Sequence, residues 1–312
     1  YCCPPFSSCW WSSVFCGPMC WQKLVPDMAD QFRPELTPAV AARLDCARLA
    51  VREAGAFALR YFRDRDLVVE IKGAQDYVSH VDRETEALLI GTLRTEFADD
   101  AFLGEESGAH GLDADGRFIW VIDPIDGTTN YVHGLPLWCI SVALVHGSEI
   151  VAGIIFNPVT DEFYEACAGA GATCNGQTLS VSGVRDPGQA RVGMGFSYRR
   201  PPELHAEGVR RLLHAHCEYA RFGSGALGMA YVADGRFDAY WEPHINAWDV
   251  LAGICLVREA GGWCNDFLAA DGLRAGNPIL ACTPALKPFL MATLVALSDE
   301  FNESEGTGCC RD

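Results

Sequence analysis

Between Pro38 and Asp64 apolar side chains return every three or four positions, at Val40, Leu44, Ala47, Val51, Ala54, Ala58 and Tyr61. That period predicts one long amphipathic helix. "LVVEI" at 67–71 has the density of β-branched residues expected of a strand. "DYVSHVDRETEALLIGTLRTEF" at 76–97 returns to helical spacing, with a start at Ser79 or Asp82. "DDAFLGEES" (99–107) reads as a short strand running into an acidic loop, and "RFIWVID" (117–123) as a buried strand. From Trp138 to Cys167 the chain is a run of strands broken at 146–148 and 157–158, and "NGQTLSVS" (175–182) continues the β-rich part. Helices are then expected in 202–217 and 225–236, a strand over 237–243, and a helix over 247–262 ended by its glycine pair. A strand and helix over 278–297 close the pattern. Helices cluster around strand runs rather than alternating strictly with them. The expected class is therefore α/β, with layered α+β organisation.

Composition narrows the function more than the fold. The chain has 312 residues, 49% of them hydrophobic and 21% charged, as a globular protein should. Its 41 acidic and 24 basic side chains give a net charge of −17. A general nucleic-acid binder needs a basic face to displace counterions, so the charge balance argues against one and no nucleic-acid partner is expected. No stretch of about 20 apolar residues exists, so no membrane span is expected. Residues 1–27 hold five of the 15 cysteines and lack both the positive start and the clean apolar run of a secretory signal. They read as a disordered appendage, and 301–312 as a tail, around a domain over 28–300 that divides into two subdomains near 185. Eight cysteines scattered through that domain read as small buried hydrophobes of a reducing compartment, so a cytoplasmic protein is expected.

The chemistry lies in "FIWVIDPIDGTTNYVHG", residues 118–134. Asp123 follows five unbroken apolar residues, so it belongs where a buried strand leaves the core. Pro124 has no N–H and should stop the ladder there. Gly127 permits a tight fold, and Thr128 or Thr129 is placed to cap the helix that follows. Such a turn aims Asp123, Asp126 and a backbone carbonyl, that of Ile125, at one point. Glu105 and Glu106 stand just after another short apolar run, and Asp249 opens an apolar helix. Singly, each acid is an ordinary surface or helix-dipole residue. Together they cannot share a pocket while ionised unless cations neutralise them. An all-oxygen ligand set suits Mg²⁺, with Mn²⁺ as the alternative. Metals beside a helix N-terminus would then receive a phosphate group.

"GEES" (104–107), "WVIDPIDGTTNYVHGLP" (120–136) and "WDVLAGICLVREAGG" (248–262) resemble the inositol monophosphatase family of Mg²⁺-dependent, Li⁺-sensitive phosphatases. The resemblance runs from about residue 38 to about 295. It implies the alternating αβαβα sandwich of the inositol monophosphatase and fructose-1,6-bisphosphatase type, and a homodimer. It also implies one metal on Glu105, Asp123 and the Ile125 carbonyl, a second on Asp123, Asp126 and Asp249, and a looser third on Glu105. Asp82 and Thr128 would activate the attacking water with Glu105 nearby, and Glu106 and Lys72 would stand behind the site. The spacing from Lys72 to Asp82 is one residue shorter than in the animal enzymes. The resemblance places Asp126, Gly127, Thr128, Gly223, Ser224, Gly225, Glu242 and Asp249 against the substrate. "GSGAL" (223–227) matches the family's Gly-Thr-Ala loop, with Ser224 and Gly225 in place of threonine and alanine. Glycine at 225 suggests a more permissive loop, and a glutamate at 242 favours a polyol.

Inositol 1-phosphate is the expected substrate, a small phosphorylated polyol. Histidinol phosphate, fructose 1,6-bisphosphate and a 3′-phosphonucleotide are the alternatives on the same scaffold. Nucleotide-acting relatives usually carry a lysine after DPIDGT, where this chain has Thr129-Asn130. "GSGALG" (223–228) is also a literal G-x-G-x-x-G, the mark of an NAD-binding oxidoreductase, although "CEYARF" before it is a poor buried strand. A regulatory, binding or RNA-associated protein on the phosphatase scaffold is the non-enzyme alternative. The histidines at 205, 214 and 216 lack the spacing of a helical zinc pair and read as surface.

Overall fold

The computed structural model describes residues 37–64, 69–73, 76–112 and 116–307. The N-terminal appendage proposed for 1–27 lies outside the described residues. Helix α1 spans Pro38–Asp64, and strands β1 (Val69–Gly73) and β2 (Asp76–Ser79) form a small antiparallel ribbon ahead of α2 (His80–Glu96). Next come β3 (Ala101–Gly104), β4 (Gly108–His110), β5 (Phe118–Asp126) and the short α3 (Thr128–His133). A meander follows: β6 (Cys139–His146), β7 (Glu149–Asn157), β8 (Glu162–Cys167), β9 (Gly171–Cys174) and β10 (Gln177–Thr178). The second half holds β11 (Arg191–Met194), α4 (Pro202–His214), β12 (Glu218–Ala220), α5 (Gly225–Ala233), β13 (Ala239–Ile245) and α6 (Ala247–Glu259). It ends with β14 (Trp263–Cys264), α7 (Gly272–Ala275), β15 (Asn277–Cys282), α8 (Lys287–Leu290), a π-helical turn at Met291–Val295 and α9 (Ala296–Thr307). The last helix thus runs through residue 300, where the tail was expected to begin.

Two sheets result. The larger has eight strands in the order β10-β9-β8-β7-β6-β5-β3-β4, and the smaller five, in the order β12-β11-β13-β15-β14. Side chains alternate across the larger sheet, as the pleat requires. Trp120 and Ile122 of β5 pack with α1 and α2, while Val121 points to the opposite face and packs with α5 and α6. Those two helices fill the space between the sheets, and all nine residues of α5 are buried. This is why neither carries a polar stripe. The outer face of the smaller sheet is covered by α4 and the closing helices. The layers therefore read α, β, α, β, α, as the resemblance implied. The division between sheets falls between Thr178 and Arg191.

Two local expectations fail. Pro124 does not end its strand: β5 continues to Asp126 through a register shift, with Asp123 opposite Ser141 and Asp126 opposite Cys139. A bulge absorbs the missing N–H, and the ladder resumes beyond it. Nor does a threonine cap α3. The capping position is Gly127, at φ 96°, with no side-chain cap. An added Cβ there would lie 2.8 Å from the Leu137 carbonyl oxygen, so both backbone conformation and space demand glycine. Among the described residues no helix is long and apolar enough to cross a membrane, and all eight described cysteines are free thiols.

Candidate active site

The bulge in β5 turns two aspartates toward the start of α6. Carboxylate oxygens of Asp123, Asp126 and Asp249 lie within 4.8 Å of one another. Each is anchored by the chain that presents it. Asp123 Oδ1 accepts the Ile125 N–H at 2.9 Å. Asp249 is the third residue of α6, and its Oδ2 accepts the Asn246 N–H at 3.0 Å, as in a capping box. The dipole reading of Asp249 and its place in the cluster are thus the same fact. Ser141 of β6 donates to the Trp248 carbonyl at 2.9 Å and fixes the entry of α6 against the large sheet. Asp126 takes the most donors: the Ser224 hydroxyl at 2.5 Å, the Gly225 and Ala226 N–H groups at 3.2 and 2.7 Å, and the Cys139 thiol at 3.7 Å.

This arrangement removes the dinucleotide reading of 223–228. The amides that would cradle a pyrophosphate at the start of α5 are bound to Asp126. The strand before them is a three-residue edge, β12.

Glu105, on the loop after β3, stands beside the cluster, where its carboxyl and that of Asp123 act on each other. Burial, then the charge of Asp249, holds the Glu105 carboxyl well above the usual range. Burial, then Glu105, does the same to Asp123. Asp249 is pushed up to about 7 by burial and by Asp126. Burial raises Asp126 too, against the pull of its donors. Four acids that raise one another in a confined space need compensating positive charge. All are hard oxygen donors, so the residues present fit a divalent cation of the Mg²⁺ type.

Beside the cluster, Thr128 Oγ1 donates to the Ile125 carbonyl at 3.0 Å and lies 3.3 Å from Asp82 Oδ1. Asp82 is buried in the first turn of α2. Lys72 belongs to β1, and its side chain is outside the described residues. Glu106, next in the chain, has its carboxylate 4.0 Å from Arg83 Nε, and its charge adds to the rise of the Glu105 carboxyl.

A cavity of about 490 Å³ opens onto this cluster. Glu105, Asp126, Asp249, Gly223, Ser224, Gly225 and Glu242 all line it. A methyl at Gly225 would meet the tip of the Ile245 side chain at 2.8 Å. Glu242 comes from β13, and burial pushes its carboxyl up to about 8. Arg199, its guanidinium bonded to the Asn246 Oδ1 at 2.8 Å, and Arg221 also line the cavity.

The sequence alone did not point to Glu86, Cys139 or Tyr240. Glu86 is buried on α2 and accepts the Glu106 and Ser107 N–H groups at 2.9 and 2.8 Å, which pins the loop carrying Glu105. Its four-residue spacing from Asp82 was the available signal. Cys139 and Tyr240 look like ordinary core residues in sequence.

The family model of the inositol monophosphatase family matches residues 40–299. An inositol-1-monophosphatase of Rhizobium meliloti is 41% identical over 245 residues, covering 77% of this chain and 90% of the relative. The protein named Nus factor SuhB in Xylella fastidiosa is 42% identical over 228 residues, covering 72% of this chain and 82% of the relative. Among solved structures, the extragenic suppressor protein suhB of Bartonella henselae superposes with a TM-score of 0.75 at 35% identity, covering 81% of this chain and 98% of that one. The inositol monophosphatase of Anabaena gives a TM-score of 0.71 at 33% identity, with coverage of 83% and 97%.

Proposed function

The chain belongs to the inositol monophosphatase family and is a phosphoric monoester hydrolase; on that premise we propose that it hydrolyses the phosphate monoester of a small polyol, inositol 1-phosphate first, with Mg²⁺. The observation that carries this reading is the carboxylate cluster opening onto a cavity that also holds Glu242.

In this reading Glu105, Asp123 and the Ile125 carbonyl hold one ion, and Asp123, Asp126 and Asp249 a second. Bound cations supply charge neutralisation, polarise the phosphoryl group and make a bound water more acidic. The protein does the rest. Thr128 and Asp82 hold the attacking water, with the Asp82 carboxylate as the final proton acceptor. The Asp126 side chain, fixed by four donors, cannot swing away when the ester enters. Glu242 hydrogen-bonds polyol hydroxyls, and the Gly223–Gly225 backbone lies along the same wall. No nucleophilic side chain takes part, so no phospho-enzyme forms.

The test is phosphate release from inositol 1-phosphate, histidinol phosphate, fructose 1,6-bisphosphate and 3′-phosphoadenosine 5′-phosphate, each with Mg²⁺, with EDTA and with added Li⁺. Mg²⁺-dependent, Li⁺-sensitive release led by inositol 1-phosphate is expected. Release led by another ester moves the substrate, and release that survives EDTA overturns the metal chemistry.

A further inference from the structure

Glu242 is held at one of its two oxygens. Its Oε2 accepts the Tyr240 hydroxyl at 2.7 Å, and both residues are buried. The tyrosine occupies a slot cut by glycines. An added Cβ would lie 2.9 Å from the ring at Gly193 and 2.5 Å from it at Gly228. At Gly195 it would lie 2.6 Å from the Tyr240 hydroxyl and 1.8 Å from Glu242 Oε2. Gly193 and Tyr240 are register partners on the parallel strands β11 and β13, and Gly228 belongs to α5. Ring, hydroxyl and carboxylate are therefore packed closely against glycine backbone on both β11 and α5. Among the described residues no group bonds Glu242 Oε1, and Glu242 lines the cavity.

A buried tyrosine needs an acceptor for its hydroxyl, but that acceptor need not be a carboxylate. Choosing one here is costly, because burial, Asp249 and Asp126 all disfavour the charge on Glu242. An amide or a backbone carbonyl would satisfy the tyrosine at lower cost. The pairing makes sense if the carboxylate has a second task at its other oxygen.

We propose that Tyr240 is a specificity-determining positioning residue, which holds Oε2 of Glu242 so that Oε1 stands fixed as a hydrogen-bonding partner for substrate hydroxyls. A carboxylate ordered before binding spends less rotamer entropy on capturing a diol, so selectivity for polyol esters over simple esters depends on the tyrosine hydroxyl. The proposal rests on the reading of Glu242 as a wall that faces polyol hydroxyls.

The test compares inositol 1-phosphate with cyclohexyl phosphate, the same ring without the hydroxyls, in the wild-type enzyme, Tyr240→Phe, Glu242→Ala and the double variant. Phenylalanine keeps the ring in its slot and removes one oxygen. The expected result is a fall of about tenfold in the selectivity for inositol 1-phosphate over cyclohexyl phosphate in Tyr240→Phe, seen in KM rather than kcat. The double variant should be no less selective than Glu242→Ala alone, because the tyrosine acts through the glutamate. Equal losses on both esters would overturn the proposal in favour of a packing role. Additive losses would overturn it by separating the two residues. If Glu242→Ala leaves selectivity intact, the polyol-facing reading of Glu242 itself falls. That result is distinct from a Tyr240→Phe enzyme that stays selective while Glu242→Ala does not.

Discussion

Asp126 accepts hydrogen bonds from a hydroxyl, two backbone amides and a thiol, whereas Glu242, in the same cavity, is held by one phenol. Every acid of the cluster is tied to main chain, directly or through the loop that bears it. Asp123 is tied to Ile125, Asp249 to Asn246, and the Glu105 loop to Glu86. The wall around Glu242, which the proposed function assigns to substrate hydroxyls, is set by side chains on β13 and by an exposed segment around Tyr198 and Arg199. The two walls are built to different tolerances. Crowded charge needs fixed positions, because displacing one carboxylate changes the field felt by the others. A wall that sorts hydroxyls can be retuned one side chain at a time without disturbing the fold.

The comparison breaks first at Asp126. Asp126→Asn turns one acceptor into an NH₂ group facing N–H and O–H donors, besides lowering the charge of the cluster. Turnover at saturating Mg²⁺ should fall by at least about a hundredfold, measured as phosphate release, while circular dichroism stays native. An Asp126→Asn enzyme that keeps its turnover would show that the cluster is not where the chemistry occurs. A smaller loss is expected from Glu86→Gln, which touches no substrate. The amide can accept only one of the two N–H groups now bound, so the Glu105 loop loosens. Affinity for Mn²⁺, read directly by electron paramagnetic resonance, should weaken by roughly tenfold to a hundredfold. Unchanged Mn²⁺ binding would mean that the loop is positioned by something other than Glu86.

Much of the carboxylate wall could be read from the chain. The apolar run before Asp123, the glycine after Asp126 and the apolar helix after Asp249 each mark a junction at the core edge, and the structure brings all three together. Helix α1 was legible to its ends for the same reason, because its period is local. What could not be read was contact between distant residues. Pro124 looked like a strand terminator because a bulge depends on the partner strand, here β6. Ser224 looked like a substrate contact. It lines the cavity, but its hydroxyl donates to Asp126 and accepts from the Leu227 N–H, a pairing that spans 98 residues in one direction and three in the other. Tyr240 carries no local signal, since its slot is made by glycines on β11 and α5.

Titration separates the walls with the smallest perturbation. In the metal-free protein Asp249 is pushed up to about 7, and Asp123 and Glu105 move in the same direction. The ordinary value in an unfolded chain is about 4. Between these values the folded state binds more protons than the unfolded one. The stabilising contribution is fully present below the unfolded pKa and is lost as pH rises through the folded pKa. In EDTA, therefore, the cluster lowers Tm as pH is raised from about 5.5 to about 7.5. Mg²⁺ displaces those protons and removes that part of the decline, so the gap in Tm between Mg²⁺ and EDTA should widen by several degrees over this range. Glu242, pushed up to about 8 by burial, is expected to bind no metal, so its share of the decline should persist in Mg²⁺ and disappear in Glu242→Gln. Melting curves across pH with and without Mg²⁺, for both proteins, measure the two contributions separately. A gap that stays constant with pH would mean that the cluster is not the metal site. A Glu242→Gln curve that parallels wild type in Mg²⁺ would mean that Glu242 keeps an ordinary pKa despite its burial.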